Sequence, residues 1–280
     1  KASVVRVLDS PPESLGRGGA FEGVSTNATC RSAIAALIHA EGPETIVLTS
    51  GATESLNLAV RGCKVTHGHI VTTAVEHNSL LRPLNRLLES PAISLTVVPC
   101  DSSGRVAPSQ VVGALRQETR LVALSHCSNV TGELIDITAI VQKAHEQGSL
   151  VLVDASQSVG AVALDVQAWG ADMVAFAGHK NLFGITGTGF LYIKPGLRLE
   201  PLKTGGTGIH SDLLTQPPDF PLWYEAGTPN TPGIAALAAG VAFVASRGVE
   251  SIASKRAVQY RRMFDSLKRI EGVVLYGRGE

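Results

Sequence analysis

A chain of 280 residues and 29.2 kDa, 44% hydrophobic and 17% charged, can fill one large core or a large core plus part of a second, which excludes a disordered polymer. Its 24 basic and 24 acidic residues cancel, so no net field favours nucleic acid or an anionic membrane as a partner. The longest apolar stretches, such as 234–245, are interrupted by Gly240 and fall short of a bilayer span, and the four cysteines (Cys30, Cys63, Cys100, Cys127) show neither a CxxC pair nor metal-ligand spacing and read as free thiols of a cytoplasmic protein.

In chain order, the opening 1–10 is short, mixed and strand-like, without a signal-peptide pattern. A helix follows over 28–39, a strand over 45–49, a helix over 55–61, a strand over 69–73 and a helix over 79–88. The alternation continues with a strand at 94–98, a helix at 108–115, a strand at 121–125 and a helix at 137–147. Strands then come at 150–154, 173–177 and 189–193. The segment 204–232, rich in Gly, Pro and Thr, is too long for a plain connector and reads as a functional or interface loop. A helix at 234–247 closes this region, a helical pattern resumes at Val249, and 272–276 is strand-like. This places a large domain at 1–248 and the opening of a second, smaller one at 249–280. Strands apolar on both faces and alternating with helices predict an α/β fold with a mainly parallel sheet covered on both sides. Ligands of such sheets bind beyond the carboxyl ends of the strands, so the polar residues just past each strand are the candidates for chemistry.

The first such group is Ser50-Gly51-Ala52-Thr53-Glu54-Ser55, between a strand and a helix. Unpaired N–H groups at a helix start favour a phosphate, and Thr53 adds a hydroxyl; an ordinary cap by Ser50 or Thr53 is the alternative. Asp154 ends the apolar strand 150–154, where a buried carboxylate needs a cation or caps the next turn. Lys180, in Gly178-His179-Lys180-Asn181, follows the next strand; a desolvated amine there can form an imine. Two successive strands therefore bring Asp154 and Lys180 to one sheet edge. His77, in Glu76-His77-Asn78-Ser79, could stack on an aromatic ring or cap a helix. Asn129, in Ser125-His126-Cys127-Ser128-Asn129, offers an amide donor, while His126 and Cys127 read as packed.

The strings TSGATESLNL, EHNSLLRPL, SHCSNVTGE, DASQSVG, GHKNLFGITGTGFLYI and YEAGTPNTPGI, in this order from about Ser14 to Val244, resemble the class V aminotransferase-fold enzymes, and within them the cysteine desulfurase/selenocysteine lyase family. The resemblance implies a type I fold of the pyridoxal 5'-phosphate (PLP) transferases, with a seven-stranded sheet and a smaller C-terminal α+β domain. It implies PLP bound through an imine to Lys180, which then acts as acid and base at the substrate's α-carbon. By the same resemblance Asp154 pairs with the ring nitrogen, Gln157 and Asn129 serve the ring hydroxyl, and His77 stacks on the ring. Ala52, Thr53 and His179 hold the phosphate, and Gly227 and Thr228 reach the phosphate of a neighbouring subunit in a homodimer. The implied reaction takes sulfur from L-cysteine or an analogue, leaving alanine and an enzyme persulfide for a sulfur-acceptor protein.

Three departures bear on these expectations. Ala177 stands where the family commonly has a serine, and the strand usually written YLDNAATT is not found before Pro11. None of the four cysteines matches the family's persulfide position, which lies, with a carboxylate-binding arginine, in the C-terminal domain beyond Glu280. Transamination, another C–S lyase reaction, or a non-catalytic paralogue on the same scaffold are the alternatives.

Overall fold

The computed structural model describes residues 1–8, 20–21, 24–208, 210 and 212–277. A helix, α1 (Ala2–Leu8), and a two-stranded antiparallel ribbon, β1 (Ala20–Phe21) with β2 (Val24–Ser25), precede α2 (Thr26–Leu37). Then come β3 (Ile46–Thr49), α3 (Ala52–Gly62), β4 (Gly68–Thr73), α4 (Asn78–Leu87), β5 (Ile93–Val98), α5 (Pro108–Gly113), β6 (Thr119–Ser125) and α6 (Thr138–Glu146). The chain continues through β7 (Leu150–Asp154), α7 (Val166–Trp169), β8 (Met173–Ala177), β9 (Gly189–Ile193), α8 (Thr231–Arg247) and α9 (Val249–Leu267).

The seven strands β3 to β9 form one sheet in the order β3-β9-β8-β7-β6-β4-β5. The pairs from β5 through β4, β6 and β7 to β8 are parallel, and β9 runs antiparallel to both its neighbours. All seven strands and six helices read from the sequence are present, because long Val/Ile/Leu runs and helical periodicity are strong local signals. Two expectations fail. The opening segment, over its described residues 1–8, is helical, not strand-like: the helix packs on α8, and that tertiary contact overrides the local preference. Residues 272–276 form no strand; Val274 and Tyr276 lie exposed, with no strand edge beside them among the described residues.

Side-chain alternation divides the core between the two sheet faces. On one face Val151, Val153, Val174 and Phe176 pack with α2, α6 and α8; Phe176 stacks on Phe190 at 4.3 Å between ring centres. On the other, Leu121, Ala123, Leu152 and Ala175 pack under Leu56, Val60, Leu80 and Leu84 of α3 and α4. By the same alternation Ser125 and Asp154, the last residues of β6 and β7, point to the α3/α4 face. Among the described residues no single helix is long and apolar enough to cross a membrane; α8 and α9 together reach the length but meet at 78°.

Candidate functional site

Every parallel strand of a βα unit delivers its following loop to the same edge of the sheet, here the edge where β4, β6, β7 and β8 end. On the α3/α4 face the starts of both helices open at that edge. The α3 start has Gly51 as its cap residue and no side-chain cap, so the reading of Ser50 or Thr53 as an ordinary cap does not hold. Thr53 Oγ1 instead meets Ser79 Oγ at 2.8 Å. At the α4 start His77 is the cap: its Nδ1 accepts from the Ser79 N–H at 3.1 Å and lies 2.9 Å from Ser79 Oγ. Accepting at Nδ1 leaves the ring proton on Nε2. Ser79 thereby links Thr53 and His77, bringing the two helix starts together, a contact that spacing alone does not reveal.

Asp154 is 6% exposed, and its Oδ1 accepts from the Ser156 N–H at 2.9 Å. Its carboxylate thus caps the following turn, yet among the described residues no cation pairs with it. The Ser156 hydroxyl beside it is also buried and without a partner among the described residues. Lys180 is half-buried, and its amine makes no hydrogen bond or ion pair among those residues. The Asp154 turn and the Lys180 loop are tied directly: Asn181 Nδ2 donates to the Gln157 carbonyl at 2.6 Å. Two strands that are neighbours in register, Asp154 opposite Ala175, carry these two loops. His179 is exposed, Gln157 is half-buried, and Asn129 sits exposed in the turn after β6.

Behind this edge lies a residue without an assigned role in the sequence reading. Glu76 is 8% exposed, and its two oxygens accept from Thr73 Oγ1 at 2.5 Å and Ser125 Oγ at 2.6 Å. Burial pushes its carboxyl up to about 7, the two hydroxyls oppose this, and the Asp154 charge adds to the rise. The signal that marks it in the sequence is only its place between the end of β4 and the His77 helix cap. His126 points elsewhere: it packs edge-on against Trp169 at 4.6 Å, and burial lowers it to about 4, in line with the packed role read from its position.

Gly227 and Thr228 make no hydrogen bond to Asp154 or Lys180 among the described residues. They lie exposed on the rim of a cavity of about 610 Å³ beside β3, lined also by Arg31, Ser50 and Thr207. Their loop is fastened by Glu225, which accepts from the Leu48 N–H at 2.6 Å and from Arg31 at 2.7 Å. Lys203, just before the long loop, is held to the α3 start, where it pairs with Glu54 at 3.0 Å and the Ser50 N–H donates to Glu54 at 2.7 Å. Burial raises the Glu54 carboxyl, but these contacts outweigh it and hold the group below its usual range. Of the thiols, burial drives Cys30 and Cys63 up to about 12, and burial with the Glu133 charge raises Cys127.

The α/β sheet and its site can be set beside known proteins. A curated cysteine desulfurase of Enterobacter sp. (strain 638) is 36% identical over 256 residues, covering 88% of this chain; the chain spans 63% of that relative's length. The apo structure of the cysteine desulfurase from Thermococcus onnurineus NA1 superposes with a TM-score of 0.88 at 30% identity, over 99% of this chain and 72% of that one. The Escherichia coli cysteine desulfurase CsdA, solved as its S-sulfonic acid form, gives 0.85 at 27% identity, over 97% of this chain and 71% of that one. The architecture is the type I fold of PLP-dependent transferases. The aminotransferase class-V model matches residues 21–280, and the chain belongs to that family of enzymes.

Proposed function

We propose that this chain is the cofactor-binding part of a cysteine desulfurase, which releases sulfur from L-cysteine to leave alanine and an enzyme persulfide. The observation that carries the reading is Asp154: a buried carboxylate with no cation among the described residues, on the sheet face where the uncapped α3 start opens, its turn tied through Asn181 to the loop that carries the unpaired Lys180 amine. The family depends on PLP, and the residues present fit that group. Asp154 offers an anion for the ring nitrogen, the free N–H groups of Ala52 and Thr53 offer a cradle for its phosphate, and Lys180 offers an amine for its aldehyde. Bound there, PLP supplies an electron sink for the charge left on the substrate's α-carbon.

The chain's own residues then have distinct tasks. Lys180 anchors the cofactor and moves the proton at the α-carbon. His77, held by Ser79 with its proton on Nε2, presents a flat face and a fixed donor to the ring. Gln157, in the turn after β7, and Asn129, in the turn after the neighbouring β6, meet the ring hydroxyl, and His179 joins Thr53 at the phosphate. Cys30, Cys63 and Cys127 are not assigned the persulfide: burial raises their thiols, and a protonated thiol is a poor nucleophile.

The exposed Gly227 and Thr228, on a loop clamped to β3 rather than to the Asp154 edge, support a homodimer in which that loop serves the partner's site. Residues from Val249 onward are proposed as the entry to a second domain, because α9 buries none of its residues against the sheet and turns 78° away from α8. The four unpaired thiols accord with a reducing cytoplasm.

An absorbance spectrum of the purified protein with PLP, before and after L-cysteine, tests the reading. Wild type is expected to show the visible imine band, to change it with cysteine and, with an added thiol to take the sulfur, to release alanine; Lys180→Ala is expected to lack the band. A variant spectrum identical to wild type overturns the role of Lys180, and a keto acid in place of alanine overturns the desulfurase assignment.

A further inference from the structure

Glu76 has no part in the roles proposed above, yet it is built into the same edge. Its carboxyl reaches from Thr73 at the end of β4 to Ser125 at the end of β6. Ser125 pairs in register with Asp154 on β7, so the β6 tip stands between the two buried carboxyl groups, one just past β4 and the other ending β7. Among the described residues no cation serves either of them. The groups facing Glu76 from β4 and β6 are uncharged hydroxyls, and Asp154 on β7 is the titratable group whose charge reaches it. Buried acids are ordinarily matched by a base, so a pair without one leaves a negative potential directed at whatever docks against Asp154.

We propose that Glu76 is a positioning residue that makes the Asp154 tip select a protonated pyridine ring. By occupying the Ser125 hydroxyl it leaves Asp154 Oδ2 free for the ring nitrogen while Oδ1 accepts from the Ser156 N–H, and its own charge, across the β6 tip, strengthens the demand for a cation there. Glu76 touches neither ring nor substrate; it acts through Ser125 and Asp154. The inference rests on the reading that PLP binds at Lys180 and Asp154.

The test compares PLP with its deaza analogue, in which a carbon replaces the ring nitrogen while aldehyde and phosphate are kept. Dissociation constants are measured by fluorescence titration of cofactor-free protein between about pH 6 and pH 8.5. Wild type is expected to prefer PLP, and the preference to grow as pH rises through about 7, because Glu76 then becomes charged. Glu76→Gln is expected to bind the deaza analogue as wild type does and to lose about tenfold of the preference for PLP, a modest share of one unit charge acting across the β6 tip. It is also expected to lose the pH dependence. Equal weakening of both ligands, or an unchanged preference, overturns the proposal. If circular dichroism shows Glu76→Gln unfolded, Ser125→Ala decides. That variant removes a donor that favours the ionised carboxyl, so the rise in preference moves to higher pH, and a rise at the wild-type pH overturns the proposal. A wild type that binds both ligands equally at every pH, or a Lys180→Ala variant that binds them as wild type does, rejects the underlying site instead.

Discussion

A buried acid leaves a thermodynamic mark wherever its folded and unfolded proton affinities differ. For Glu76 the folded value is about 7 against an ordinary 4.5, raised by burial. Between those values the unfolded chain gives up its proton while the folded chain keeps it, so stability falls as pH rises across that window and levels off above it. The full fall is about 3 kcal/mol. Urea denaturation of the cofactor-free protein at the two ends of the window is expected to show this loss in wild type and not in Glu76→Gln. Asp154 makes the complementary case. Its carboxylate is buried with no cation among the described residues, so Asp154→Asn is expected to raise the melting temperature of the cofactor-free protein. The same change is expected to weaken PLP by a hundredfold or more, about 3 kcal/mol, as read by equilibrium titration. Opposite signs in the two measurements are the signature of a site that trades stability for binding.

Elements hold these residues in place through close backbone approach as much as through side chains. Gly240 sits in α8 where the helix crosses the Lys180 loop, and a Cβ there would lie 2.0 Å from the Leu182 carbonyl oxygen. Gly189 on β9 passes the Gly51 turn so closely that a Cβ would meet Gly51 Cα at 2.5 Å. Both clashes are with backbone, so nothing flexible can yield. Gly240→Ala is therefore expected to cost about 1–3 kcal/mol in urea denaturation and to shift the visible band of the PLP-loaded protein, because α8 must move off the loop carrying Lys180. The stacked Phe176 and Phe190 support the opposite face of the same strands; Phe176→Ala is expected to cost about 3–5 kcal/mol without altering the band.

At the scale of the whole molecule the distant pair Arg31 and Glu225 joins α2 to the loop bearing Gly227 and Thr228. Both side chains are nearly buried, and Glu225 also receives the Leu48 N–H of β3. Removing one partner leaves the other charge stranded, so Arg31→Ala is expected to cost about 3 kcal/mol. If that loop serves a neighbouring subunit, the variant also dissociates at lower dilution than wild type in sedimentation velocity, whereas Lys203→Ala, which breaks only the pair with the half-buried Glu54, leaves the association unchanged.

The strand positions, the order of the helices and the edge that collects Asp154, His77, Asn129 and Lys180 are all legible in the sequence. Each follows from local periodicity and from the rule that parallel strands deliver their loops to one side. The sequence also carries Glu76, one of 24 acidic residues, marked only by its place between a strand end and a helix cap, with no hint of its partners. Only the tertiary structure shows that β4, β6 and β7 lie side by side and so set Glu76, Ser125 and Asp154 against one another. The opening helix, the Thr53–Ser79–His77 link and the Arg31–Glu225 clamp were decided there as well. Each depends on contacts between segments far apart in the chain, and burial, the force that fixes such contacts, has no expression in the spacing of neighbouring residues.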